Sequence, residues 1–248
     1  MQDFSILKSL NMPFLPLGSR LTRLTCLALI STILGISVSA IAAYMPSEDT
    51  KAPEGPTLSG GRRGGCDDAS ALDLLALAPQ HSVGQTLTTQ PTLVWYVPDA
   101  KAYNVQLNLY QYTGEGWADI VEGLDIGLST QGYMSYTVPA TLELEIGSVY
   151  EWQIVLTCIP DRPSSAQVTG AQFEVVSRPI DLSAVDGNRV QQAQEYAIAG
   201  LWYDAMALLS DPLLTPEEND YRRELLTSLA EFEDVEIGAQ LRQISAVD

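Results

Sequence analysis

Polar and apolar residues alternate cleanly at two places in the middle of the chain. Val105, Leu107 and Leu109 alternate with Asn104, Gln106 and Asn108. Tyr150, Trp152, Ile154, Leu156 and Cys158 alternate with Glu151, Gln153 and Thr157. A period of two puts each apolar set on one face of a half-buried strand. Further strands are expected from Thr92 to Val97, between Pro91 and Pro98, and from Trp117 to Val121. Two more are expected from Tyr133 to Val138 and from Gln167 to Val176. Short strands about 10–15 residues apart, with Gly and Pro between them, predict an antiparallel, immunoglobulin-like β-sandwich. It occupies residues 66–178, with Trp95, Tyr150 and Trp152 in its core.

From Pro179 the period changes. Val190, Ala193, Tyr196 and Ala197 recur at helical spacing, Gly200 breaks the run, and Leu201, Ala205, Leu208 and Leu209 resume it. Thr215 and Glu218 form a capping box, with Pro216 at the first helical position, and open a third helix to Ala230. Ile237, Leu241 and Ile244 have the spacing to give the acidic tail one short helix. Residues 179–248 are therefore expected to be a small helical hairpin with an acidic tail, and the fold class is mainly β with α. Gly200 is expected to take a positive φ or to admit a close backbone approach. Trp202 and Tyr203 are adjacent and point about 100° apart on a helix. One of them is expected to be partly exposed, as an anchor for a partner.

The N-terminal pattern is of another kind. Lys8, Arg20 and Arg23 precede an uncharged run from Leu24 to Ala43, which ends in Ala40-Ile41-Ala42. Residues 1–43 read as a signal peptide with an A-x-A cleavage site. The other reading is an uncleaved anchor over residues 24–43. Met12 fits the start of a leader of ordinary length. Cys26 lies too early in the run to be a lipoprotein cysteine. Residues 44–65, rich in Pro and Gly, read as a linker. Gly60-Gly61-Arg62-Arg63-Gly64-Gly65 lacks the preceding strand and the Lys-Ser/Thr of a phosphate loop.

Composition narrows the chemistry. The 248 residues carry 31 acidic and 13 basic side chains, a net charge of -18. Leader cleavage removes one acid and three bases, leaving 30 against 10 and a charge of -20. Such a field repels nucleic acid and anionic bilayers, so contact with a membrane is expected only through an uncleaved leader. One histidine, His81, and three cysteines leave little room for metal sites or histidine-based nucleophiles. Cleavage also removes Cys26. Cys66 and Cys158 then form an even pair, which in an exported protein reads as a disulfide, the other reading being two buried thiols.

Three stretches carry a resemblance. They are Gly61-Arg62-Arg63-Gly64-Gly65-Cys66 with Leu74 to Pro79, Pro91 to Pro98 with Leu144, Gly147 and Tyr150-Glu151-Trp152, and Tyr196 to Met206. In this order they resemble an exported cyanobacterial family defined only as domain of unknown function 928. The resemblance implies compartment and architecture and brings no activity. The segment from Ala197 to Met206 is also similar to a tetratricopeptide-type turn, in which glycine lets two helices pack closely.

Candidate sites are few. Tyr110, Tyr112 and Trp117, near a turn, are candidates for an exposed aromatic platform. Asp119, Glu122 and Asp125 are weak calcium candidates without the spacing of a calcium loop, and otherwise a solvated acidic loop. No cofactor and no catalytic residue is expected. The functional expectation is an exported binding or structural protein of the envelope, with an unknown protein or glycan as partner, in the periplasm or outside the cell. The alternative is a carboxylate-dependent hydrolase of envelope polysaccharide or peptide.

Overall fold

The computed structural model describes residues 44–55, 66, 72–178 and 187–247. The leader reading of residues 1–43 and the glycine–arginine segment 60–65 lie outside them. Among the described residues, no helix is long and apolar enough to cross a membrane.

Among the described residues, eight strands form two sheets. They are β1 (Leu75–Ala76), β2 (Gly84–Thr86), β3 (Thr92–Val97), β4 (Asn104–Tyr112), β5 (Trp117–Leu128), β6 (Gly132–Thr137), β7 (Val149–Thr157) and β8 (Gln167–Val175). The smaller sheet has the order β1-β3-β6 and the larger one β2-β8-β7-β4-β5. On β4 the side chains of Val105, Leu107 and Leu109 are fully buried, and their alternates are half-buried. On β7, Trp152, Ile154 and Leu156 face the same core. Most pairings are antiparallel, but β2 runs parallel to β8. This corrects the all-antiparallel expectation. Pro79 lacks the N–H that would continue a ladder beyond β1, and the chain crosses to the edge of the other sheet before it pairs again.

Among the described residues four helices follow, α1 (Arg189–Ile198), α2 (Trp202–Leu208), α3 (Pro216–Leu229) and α4 (Val235–Ser245). The Asn188 side chain caps α1, and the Thr215–Glu218 capping box opens α3. The expected hairpin with an acidic tail is thus two hairpins. Ile237, Leu241 and Ile244 recur on one face of α4 and are buried, while Asp234 accepts from the Glu236 and Ile237 N–H groups as its cap. The acids of the tail therefore start a helix instead of solvating a coil.

Trp202 and Tyr203 are both buried, so the expected partner anchor on the helices is corrected. Helix α2 has a wall on each side. Trp202 Nε1 donates to the Leu77 carbonyl at 2.9 Å, and its ring meets Tyr44 edge-on at 4.9 Å. Tyr203 reaches the other way, to Trp152, Phe173 and the backbone of Gln172. Two aromatic residues 100° apart are both covered when the helix lies between two surfaces.

One of those surfaces comes from the segment read as a linker. Tyr44 is 1% exposed, its carbonyl accepts from Ser228 Oγ, and Met45 N donates to the Ala197 carbonyl. Arg178 ties the segment further, donating to Ser47, Asp49, Gln85 and the Ala199 carbonyl. Residues 44–55 lack apolar bulk, and polar and backbone bonds fix them instead. Gly200 meets both parts of its expectation. Its φ is +78°, and a Cβ there would lie 2.8 Å from Ser47 N. Cys66 and Cys158 form a disulfide with Cα atoms 5.2 Å apart, the pairing expected of them in an exported chain.

Candidate binding surface

Successive residues of a strand point to opposite faces. Since Val105, Leu107 and Leu109 fill the core, Asn104, Gln106, Asn108, Tyr110 and Tyr112 form a row on the outer face of β4. The register carries the row onto its neighbours. On β5, Trp117 lies opposite Tyr112, Asp119 opposite Tyr110, Asp125 opposite Gln106 and Leu128 opposite Asn104. On β7, Glu151 lies opposite Tyr110, Gln153 opposite Asn108 and Thr157 opposite Asn104.

The face has three parts. At the disulfide end is a groove of about 700 Å³, whose lining includes Lys101, Tyr103, Asn104, Gln106, Leu128 and Thr157. The Lys101 ammonium lies 5.0 Å from the Tyr103 ring centroid. Leu128 and, beside the groove, Ile159 are exposed apolar side chains. In the middle is a chain of side-chain bonds. Asn108 donates to Gln153, Gln153 to Glu151, and Gln172 to Glu151. At the hairpin end are the aromatic residues, with the Tyr112 and Trp117 rings 5.3 Å apart and tilted by 57°.

The sequence-predicted platform is thus brought together by the β4–β5 hairpin, each ring half-buried. Burial first, and then the charges of Glu122, Asp119 and Glu151, raise the Tyr110 phenol above its ordinary value. Glu54 does the same to Tyr112, mainly through its charge. Glu54 is there because its backbone is held by one side chain. Its N–H donates to Gln172 Oε1, and its carbonyl accepts from Gln172 Nε2, both at 2.8 Å. Asp119, Glu122 and Asp125 are exposed on β5. Among the described residues no group of carboxylates, histidine or cysteine could hold a metal ion.

Two carboxylates elsewhere are half-buried and held above their usual range. Asp204, on α2, is pushed up to about 6 by burial, and it accepts from Leu87 N at 3.0 Å. Glu233, between α3 and α4, is raised mainly by burial and accepts from Gln80 N and His81 N. Both serve as acceptors for loop backbone. Neither lines the groove.

The groove and the strap formed by residues 44–55, which bonds to the sheet at Glu54, were not read from the sequence. The groove combines residues 101–106, 128 and 155–166, which share no spacing, and Glu54 sits in a segment without periodicity. No curated protein and no solved structure matches the chain. A family model matches residues 58–238, so the chain belongs to the family described as Domain of Unknown Function (DUF928).

Proposed function

We propose that this chain is an exported binding protein of the cell envelope that holds an extended polymer, protein or glycan, along the outer face of its larger sheet. One observation carries the reading. The groove at Asn104 and Gln106, the amide chain at Asn108 and the aromatic pair at Tyr112 each take in alternate residues of one strand, Asn104 to Tyr112. At about 3.3 Å per residue that row is roughly 26 Å long. It offers apolar surface, hydrogen-bonding amides and aromatic faces in line.

Export rests on the leader pattern of residues 1–43, and the disulfide supports it. Two features support the immunoglobulin-like reading of the sandwich. One is the division of strands between the sheets. The other is Tyr150, at the start of β7, whose hydroxyl accepts from Glu145 N at 2.8 Å in the manner of a tyrosine corner. Among the described residues the groove lining carries no carboxylate, which supports binding over carboxylate-dependent hydrolysis there.

The test uses the mature chain isolated from its own cells. N-terminal sequencing is expected to start near Ala43 or Tyr44. The chain is expected to co-sediment with isolated envelope fragments, and Gln106→Ala with Tyr112→Ala is expected to weaken that at least tenfold. Unchanged co-sedimentation of the double variant would sink the binding-face reading.

A further inference from the structure

The outer face is not electrically uniform. Its disulfide end holds Lys101. At its hairpin end Asp119 and Glu151 lie directly opposite Tyr110 on the two neighbouring strands. The charge of Glu122 also reaches Tyr110, and that of Glu54 reaches Tyr112. A cation over an aromatic ring is attracted by the ring's quadrupole, and carboxylates around the ring add Coulomb attraction. The same carboxylates disfavour an anionic ligand. The face already holds one segment of its own chain. The Gln172 amide pairs with both backbone groups of Glu54, as a neighbouring strand would. Gln172 is buried and committed to that segment, so the choice of an arginine- or lysine-rich chain over a sugar rests on the exposed rings and carboxylates.

We propose that the hairpin end of this face docks a basic, extended polypeptide, with its Arg or Lys side chains over Tyr110 and the Tyr112–Trp117 pair and beside the exposed Asp119 and Glu122, above the buried carboxylate of Glu151. The proposal rests on the binding-face reading above and names the partner's chemistry. The chain's net charge of -18 would steer such a partner toward it.

Trp117 reports on the site directly. Trp95, Trp152 and Trp202 are fully buried, so a ligand that quenches tryptophan fluorescence from outside does so at Trp117. The mature chain is titrated with a nona-arginine peptide, a glycine–serine peptide of equal length and chitohexaose. Saturable quenching is expected from the arginine peptide only, and it is expected to weaken steeply with salt. Glu122→Gln and Glu217→Gln remove the same charge, the second on the exposed start of α3. The first is expected to weaken binding about fivefold and the second to leave it unchanged. Tyr110→Leu, which leaves the net charge unchanged, is expected to cost about fivefold as well. Equal weakening by the two glutamine variants, or no effect of Tyr110→Leu, would mean diffuse attraction between polyelectrolytes and would overturn the proposal. Quenching by chitohexaose alone would overturn it while leaving the binding face standing. Absence of quenching by any probe, together with failed co-sedimentation, would remove both.

Discussion

Tyr203→Phe isolates one hydroxyl in the tie between helices and sandwich. The Tyr203 ring is 2% exposed and packs on Phe173 with centroids 5.3 Å apart, a contact that phenylalanine keeps. Its hydroxyl accepts from Trp152 Nε1 at 2.9 Å and donates to the Gln172 carbonyl at 3.3 Å. The substitution strands a buried indole N–H and deprives a buried carbonyl of one donor. Each such loss costs about 1–3 kcal/mol, the weaker bond at the low end, so the expected destabilisation is about 2–4 kcal/mol. Guanidinium unfolding, followed by fluorescence, is expected to show a lower midpoint at unchanged slope. Trp152→Phe closes a double-mutant cycle. Once the indole N–H is gone, removing the hydroxyl is expected to cost roughly 1–2 kcal/mol less. A loss below about 0.5 kcal/mol for Tyr203→Phe, or strict additivity in the cycle, would refute this account of the tie.

Gly200→Ala puts a Cβ 2.8 Å from Ser47 N at a φ of +78°. The left-handed backbone alone costs roughly 1–2 kcal/mol, so a loss of at least about 2 kcal/mol is expected in thermal melts, and a neutral variant would contradict the close approach. Asp204 has its carboxyl raised from 3.8 to about 6. The folded state therefore binds this proton more tightly than the unfolded one. The contribution is fully present below about pH 4 and lost as pH rises through about 6, on the order of 3 kcal/mol at most. Asp204→Asn is expected to gain stability relative to the wild type across that window, and parallel melting curves from pH 4 to 7 would count against it. Cys158→Ser opens a bridge between residues 92 apart in sequence. The chain-entropy model gives a loss of about 4–5 kcal/mol, and two free thiols in the isolated mature chain would show that the bridge is absent.

What could be read in advance depended on period. β7 was legible along its length and β4 from Asn104 to Leu109, the stretch in which buried and half-buried side chains alternate. β5 was legible only to Val121, because Gly123 and Gly127 take positive φ and the register with β4 shifts along the strand, which breaks the alternation. β1 and β2, of two and three residues, are too short to show any period. In α2 the angle between Trp202 and Tyr203 was sound, but the number of surfaces was not. Tyr44, a lone aromatic residue ahead of a polar stretch, carries no sign that it will close the second side. The aromatic platform was legible because Tyr110, Tyr112 and Trp117 flank one turn. The carboxylates around it come partly from β7 and the strap, which no local pattern connects to that turn.

The placement of aromatic residues separates those that folding uses from those it does not. Trp95, Trp152, Trp202, Tyr44, Tyr150 and Tyr203 are among the largest fully buried side chains, and their removal would open the core. Tyr112 and Trp117 face one another across the hairpin, a cross-strand pair that contributes about 0.2–1 kcal/mol to it. Tyr110 has no such partner. Both residues opposite it are carboxylates, which burial and charge set against its ionisation. A threonine or glutamine on that outer row would serve the strand about as well, since Leu109 already fills the core beneath it. An aromatic ring that packs no core and pairs with no other ring, framed by carboxylates, stabilises little in this chain. Its chemistry suits a cation from outside better than any neighbour it has.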